Sequence, residues 1–212
     1  MSKLEVDAIE PQSGTTLTLG ASGDTITIPS GATLRGTSIA LSGNIGIGGA
    51  TPTASGTGIT FPATASPSSD ANTLDDYEEG TWTPTLIGAA TAGTYGYDTD
   101  RTAGKYIKIG DTVFLTGVFR VNSITAAGTG DATIGGVPFT IGNNSGASNY
   151  SRTGGVLLKQ GGFSGSTSIF IAANPGTVLS IFEQTATSIA GLAVTDVDDL
   201  FGIYSFQILI KI

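Results

Sequence analysis

The sequence predicts an all-β protein, with an N-terminal intertwined trimeric β shaft followed by a C-terminal β-sandwich of jelly-roll type. Three observations lead there. Thirty-two of the 212 residues are glycine and only 12 % are charged, a composition rich in turns and poor in helix formers. Aliphatic residues recur two apart in short pairs through the first sixty positions, and from residue 74 onward longer alternating runs take over.

The short pairs are Leu17 and Leu19, Ile26 and Ile28, Ile39 and Leu41, Ile45 and Ile47, and Ile59 and Phe61, most of them separated by turn residues such as GASGD and SGNIG. A spacing of two puts both side chains of a pair on one edge of an extended strand. Burying one such side chain is worth about 1.5–3 kcal/mol, whereas ordering each residue costs about 1–2 kcal/mol of backbone entropy. A lone chain with two large apolar residues per strand therefore falls short. Three copies wound about one axis would set each pair against its equivalents and give every strand edge a partner. A flexible Gly/Ser/Thr linker is the alternative, but a linker has no reason to keep its aliphatics in phase.

The expected organisation is an attachment segment at 1–10, the shaft at 11–62, a linker at 63–73 and the sandwich at 74–212. The linker, ATASPSSDANT, carries Pro, Ser and Asn and no aliphatic larger than Ala. In the sandwich, residues 105–121 read as two strands turning at Gly110-Asp111, with Val113, Leu115, Gly117, Phe119 and Val121 on one face. GGVLLKQ, TSIFIAA and TVLSIFE are further strand candidates. The last strand, FGIYSFQILIKI, alternates two sets of which the second, Ile203, Ser205, Gln207, Leu209 and Lys211, is only partly polar. That strand is expected inside a sheet or against a neighbouring chain.

The absence of cysteine and histidine removes disulfides, thiolate nucleophiles, the commonest general base and the commonest transition-metal ligand. No enzyme activity, cofactor or metal is expected. A net charge of −8 argues against nucleic acid as a partner, because affinity for phosphate rests on Lys and Arg. No apolar run approaches the roughly 18–20 residues that cross a bilayer, and the N-terminus lacks an apolar signal core; membrane insertion is not expected, and synthesis in a cytoplasm is.

LDDYEEGTWTPT, at 74–85, sets Asp75, Asp76, Glu78 and Glu79 against the only tryptophan, Trp82. Glycoside hydrolysis needs two carboxyl groups facing one bond, and this spacing neither supports nor excludes such a pair. A solvated acidic turn leading into the sandwich, covered by Tyr77 and Trp82, is the plainer reading; a cation on a threefold axis is a further one. Asp196, Asp198 and Asp199 lack the Gly and distal Glu of a calcium loop and read as a polar turn, as does the Gly-rich run at 46–50. Tyr95, Tyr97, Tyr150 and Phe163 lie in turn-rich surroundings beside Asp98, Asp100, Asn149 and Arg152, and are the candidate receptor-binding residues: an aromatic face stacks on a sugar while polar neighbours bind its hydroxyls.

LDDYEEGTWTPTL at 74–86, Gly104 to Asp111 leading into VFLTGVF, and GGVPFTIGN at 135–143 together resemble the recurrent distal domain of bacteriophage tail-fibre proteins, with Val137 where Leu is usual before Pro138. The opening MSKLEVDAIEPQSG is similar to the start of short fibres from phages of aquatic bacteria, cyanobacteria in particular. The resemblance implies a homotrimeric virion fibre whose N-terminus docks on tail or baseplate proteins and whose distal domain touches a host-surface glycan. It also implies that the acidic stretch is the doorway between shaft and head. A head fibre or capsid decoration protein of the same architecture and a glycan-degrading tailspike are the rivals.

Overall fold

The computed structural model of the chain describes residues 14, 25–28, 30 and 33 of the first 43, then 44–142 and 153–212 apart from 53–55, 65–67, 71, 75, 160–168, 174, 185–186 and 199–200. Two units are present, Met1–Ser42 and Gly43–Ile212. In the first, Ile26 and Ile28 are exposed. Leu17, Leu19, Ile39 and Leu41 lie outside the described residues.

The second unit opens with two very short parallel strands, β1 (Ile45–Gly46) and β2 (Ile59–Thr60), with Ile45 opposite Ile59. It continues as an all-β body of eleven strands: β3 (Tyr77–Trp82), β4 (Thr85–Gly88), β5 (Thr94–Tyr97), β6 (Ala103–Ile109), β7 (Thr112–Ala126), β8 (Ala132–Gly135), β9 (Thr153–Lys159), β10 (Ile169–Ala173), β11 (Leu179–Gln184), β12 (Ile189–Gly191) and β13 (Gly202–Lys211). Every pairing in this body is antiparallel.

The strands run in the order β3-β6-β7-β13-β9-β10-β11-β8-β4, with β5 added on β7 and β12 on β11. Strands β3 and β4 stand at opposite ends of this path, yet only Thr83 and Pro84 separate them in the chain. The sheet must therefore fold back on itself into two layers. The corner is at β9, whose 153–155 pair with β10 while 156–159 pair with β13, the kind of strand that changes sheet in a folded sandwich. Between the layers lies one core, drawing Leu115, Phe119, Phe206, Ile208 and Ile210 from one side and Leu86, Ile134, Ile171, Leu179 and Ile181 from the other.

Period two explains most of this placement. Val113, Leu115, Phe119 and Val121 are all fully buried, as the alternation along 112–121 requires. Gly110, at φ +56°, closes the two-residue turn joining β6 to β7, a conformation open to glycine. In β13, Phe206, Ile208 and Ile210 face the core, but so does Ile203, three positions before Phe206. An irregularity in the pairing between Ile203 and Phe206 supplies the phase change, as a β-bulge does. This strand lies between β7 and β9, inside the sheet.

One cross-strand row shows why glycines stand mid-strand. Trp82 is opposite Gly104, Gly104 opposite Gly117, and Gly117 opposite Phe206. The indole and the phenyl ring lie over the two glycines and meet edge to face at 5.8 Å and 74°. A Cβ on Gly104 would collide with Trp82, and one on Gly117 with Phe206. Such ring pairs add about 0.5–1.5 kcal/mol to what burial provides.

Candidate functional site

The acidic stretch resolves into separately engaged groups; Asp75 is outside the described residues. Asp76 forms an ion pair with Lys108, whose side chain is turned inward from β6 and almost wholly buried, and the Asp76 carbonyl accepts from the Gly110 amide at 3.0 Å. Glu78 and Glu79, neighbours on β3, project to opposite faces of the strand. The Tyr106 hydroxyl donates to Glu78 and the Tyr77 hydroxyl to Glu79. Both phenols are held above the usual tyrosine range, first by the hydrogen bond to a carboxylate that a phenolate would lose. Glu78 and Glu79 thus face no common bond, as a glycosidase pair would. Tyr77 also meets Phe61, with ring centroids 6.1 Å apart, so the aromatic residue after β2 rests on the first residue of β3.

Tyr95 and Tyr97 are on strand β5, their rings half-buried against the core. The Tyr95 hydroxyl accepts from the Gly128 amide at 2.9 Å and holds the connection from β7 to β8. The Tyr97 hydroxyl accepts from the Leu86 amide at 2.8 Å and donates to the Leu86 carbonyl at 3.4 Å. β4 is the last strand of the path, so Tyr97 occupies backbone groups of a sheet edge that would otherwise be free. Burial raises the Tyr97 phenol, partly opposed by the hydrogen bond from the Leu86 backbone. Tyr150 and Phe163 fall outside the described residues, so the structure unites only two of the four candidates. Asp196 sits in a 3-10 turn at Val194–Asp196, and the Asp198 carbonyl accepts from the Phe201 amide. Among the described residues no three carboxylates gather as a cation site would require.

A surface that the sequence reading did not single out stands on the outer face of β3-β6-β7-β13. Strand register sets three rows across it: Tyr77-Ile109-Thr112-Lys211, Glu79-Ile107-Phe114-Leu209 and Thr81-Lys105-Thr116-Gln207. Ile107, Ile109, Phe114 and Leu209 are 39–51 % exposed although they are large and apolar. An open groove of about 480 Å³ crosses the face, lined among others by Glu79, Thr81, Lys105, Ile107, Phe114 and Thr116. A second hollow of about 270 Å³ adjoins it and shares Lys105 and Thr116. The partly apolar second set of the last strand, with Leu209 in it, was the signal of this face in the sequence. Ile107 and Ile109 gave a matching one on β6.

On the central row of this face, the carboxylate Glu79 accepts from the Tyr77 hydroxyl. No protein-family model matches the chain, and no curated protein does. Among solved structures, the crystal structure of Dettilon tailspike protein (gp208) is similar at a TM-score of 0.47 with 11 % identity, over 64 % of this chain and 24 % of that one.

Proposed function

We propose that the chain is a subunit of a homotrimeric phage tail fibre, a structural and adhesive protein without enzyme activity. In this reading a thin β-rich shaft docks by its N-terminus on other tail or baseplate proteins, and the sandwich meets a host-surface glycan. The observation that carries the reading is the exposure of the aliphatics that keep period two in the sequence. Ile26, Ile28, Ile45, Ile47 and Ile59 are 36–61 % exposed in the single chain, and the only strands there, among the described residues, are two residues long. Side chains of this size in this number need a surface to cover them, and further copies in register supply it.

Adhesion then works by avidity. Three weak sites per fibre, and several fibres per particle, raise the effective receptor concentration without a strong single contact. Sedimentation equilibrium of the purified full-length chain tests the assembly, with three times the 21.2 kDa chain mass expected. Binding of fluorescent protein to host cells, abolished when surface polysaccharide is stripped, tests the adhesion. A compact species of one chain mass overturns the fibre, and shortening of host polysaccharide by the protein overturns the non-enzymatic part.

A further inference from the structure

We infer that the outer face of β3-β6-β7-β13 is the surface on which a second copy of this chain packs, so that the contact between subunits extends from the shaft into the sandwich. This rests on the trimeric reading above and adds the residues that carry the contact in the distal body.

Two features identify the occupant. The first is charge. The chain carries a net −8, yet this face balances: Glu79 and Asp111 stand against Lys105 and Lys211. Lys211 is already paired with Asp111 at 2.8 Å, whereas neither Lys105 nor Glu79 has an ion-pair partner among the described residues. Glu79 and Lys105 are diagonal neighbours on β3 and β6, one register step apart, so this face is close to neutral in a chain that is strongly acidic. A neutral face lets copies of an acidic chain meet without like-charge repulsion, as a threefold assembly requires. An acidic partner of other origin would gain no attraction from this face.

The second feature is continuity with the shaft. Exposed Ile59 on β2 is two residues before Phe61, which contacts Tyr77, and Tyr77 begins the row that contains exposed Ile109. A line of apolar side chains therefore leads from Ile59 through Phe61 and Tyr77 to Ile109 on this face. A sugar ring is a poorer occupant. Sugar sites converge polar groups on an aromatic plane, and here three of the four exposed apolar residues are aliphatic.

The absence of cysteine makes the test direct. Single variants Ile107→Cys and Leu209→Cys of the full-length protein, with Thr195→Cys as an exposed control away from this face, are treated with a short bis-maleimide and run on a denaturing gel. Covalent dimers from the two face positions and none from the control are expected. At the same face positions, maleimide labelling of the native protein should be at least tenfold slower than at Thr195→Cys. Labelling as fast as the control, with no covalent dimer, in material of threefold mass overturns this inference and leaves the fibre reading intact. Slow labelling that appears only when host polysaccharide is added assigns the face to a glycan and also overturns it. A single-chain mass for the unmodified protein overturns both.

Discussion

The two apolar regions of this chain obey the same alternation and reach opposite ends. In β7 and β13, Leu115, Phe119, Phe206 and Ile208 disappear into one core, whereas Ile45, Ile47 and Ile59 on and beside β1 and β2 stay in view. The difference is not composition but the number of strands available within a single chain to cover an apolar edge. Eleven antiparallel strands folded into two layers provide that cover for their inner faces. Two two-residue strands do not, and the comparison teaches that equal periodicity can build a closed core in one place and leave its aliphatics exposed in another.

The largest break in this contrast should come from emptying the sandwich core. Phe206→Ala removes a fully buried ring that also lies on Trp82 and over Gly117, and a loss of about 3–5 kcal/mol is expected in urea unfolding. The double variant Ile45→Ala/Ile59→Ala should leave that transition unmoved and instead shift the sedimenting mass toward single chains. A core transition that falls with the shaft substitutions would show the two regions to be one cooperative unit.

Next in size is the buried pair under the acidic stretch. Asp76→Asn leaves the Lys108 ammonium without its partner, and about 3 kcal/mol of destabilisation is expected. Adding Lys108→Met should recover most of it in a double-mutant cycle. If the single change costs nothing measurable, the pair is solvated and this corner of the sheet is looser than its burial indicates.

Tyr97→Phe tests the strand edge and is expected to cost about 1–2 kcal/mol, because the Leu86 amide and carbonyl both lose a partner. The phenol is raised in the fold, so its contribution is present below the ordinary tyrosine range near pH 10 and is lost as pH climbs through the higher folded value. An alkaline limb that is unchanged in Tyr97→Phe would contradict this.

The smallest effect belongs to Asp111, lowered first by its hydrogen bond with Lys211. A depressed carboxylate stabilises above its unfolded pKa, near 4, and loses that contribution as pH falls through its folded value. Both partners are about half exposed, so the loss as pH falls below about 4 is only a few tenths of a kcal/mol. Acid unfolding of Asp111→Asn against the parent measures it.

Much of the body was legible beforehand. The hairpin at Gly110-Asp111 and the buried set Val113, Leu115, Phe119 and Val121 follow from alternation and one turn signal. Tyr95 and Tyr97, read from their Gly-rich neighbourhood as surface aromatics, are instead on a strand with their hydroxyls on backbone groups of Gly128 and Leu86. No local pattern could have shown this, since those partners lie 33 and 11 positions away. The bulge that turns both Ile203 and Phe206 inward was equally hidden, because strict alternation puts them on opposite faces.

The sequence by itself determined the class of the backbone, the inward set of β7 and the surplus of aliphatics in the first sixty residues, because all three are properties of period two and turn chemistry within a few residues. Only the tertiary structure decided which strands became neighbours. It thereby decided that the Trp82 and Phe206 rings would cover two glycines, and that Ile107, Phe114 and Leu209 would align in one exposed row. Register between distant strands is set by how the whole sheet folds and closes, and no short window of residues contains that information.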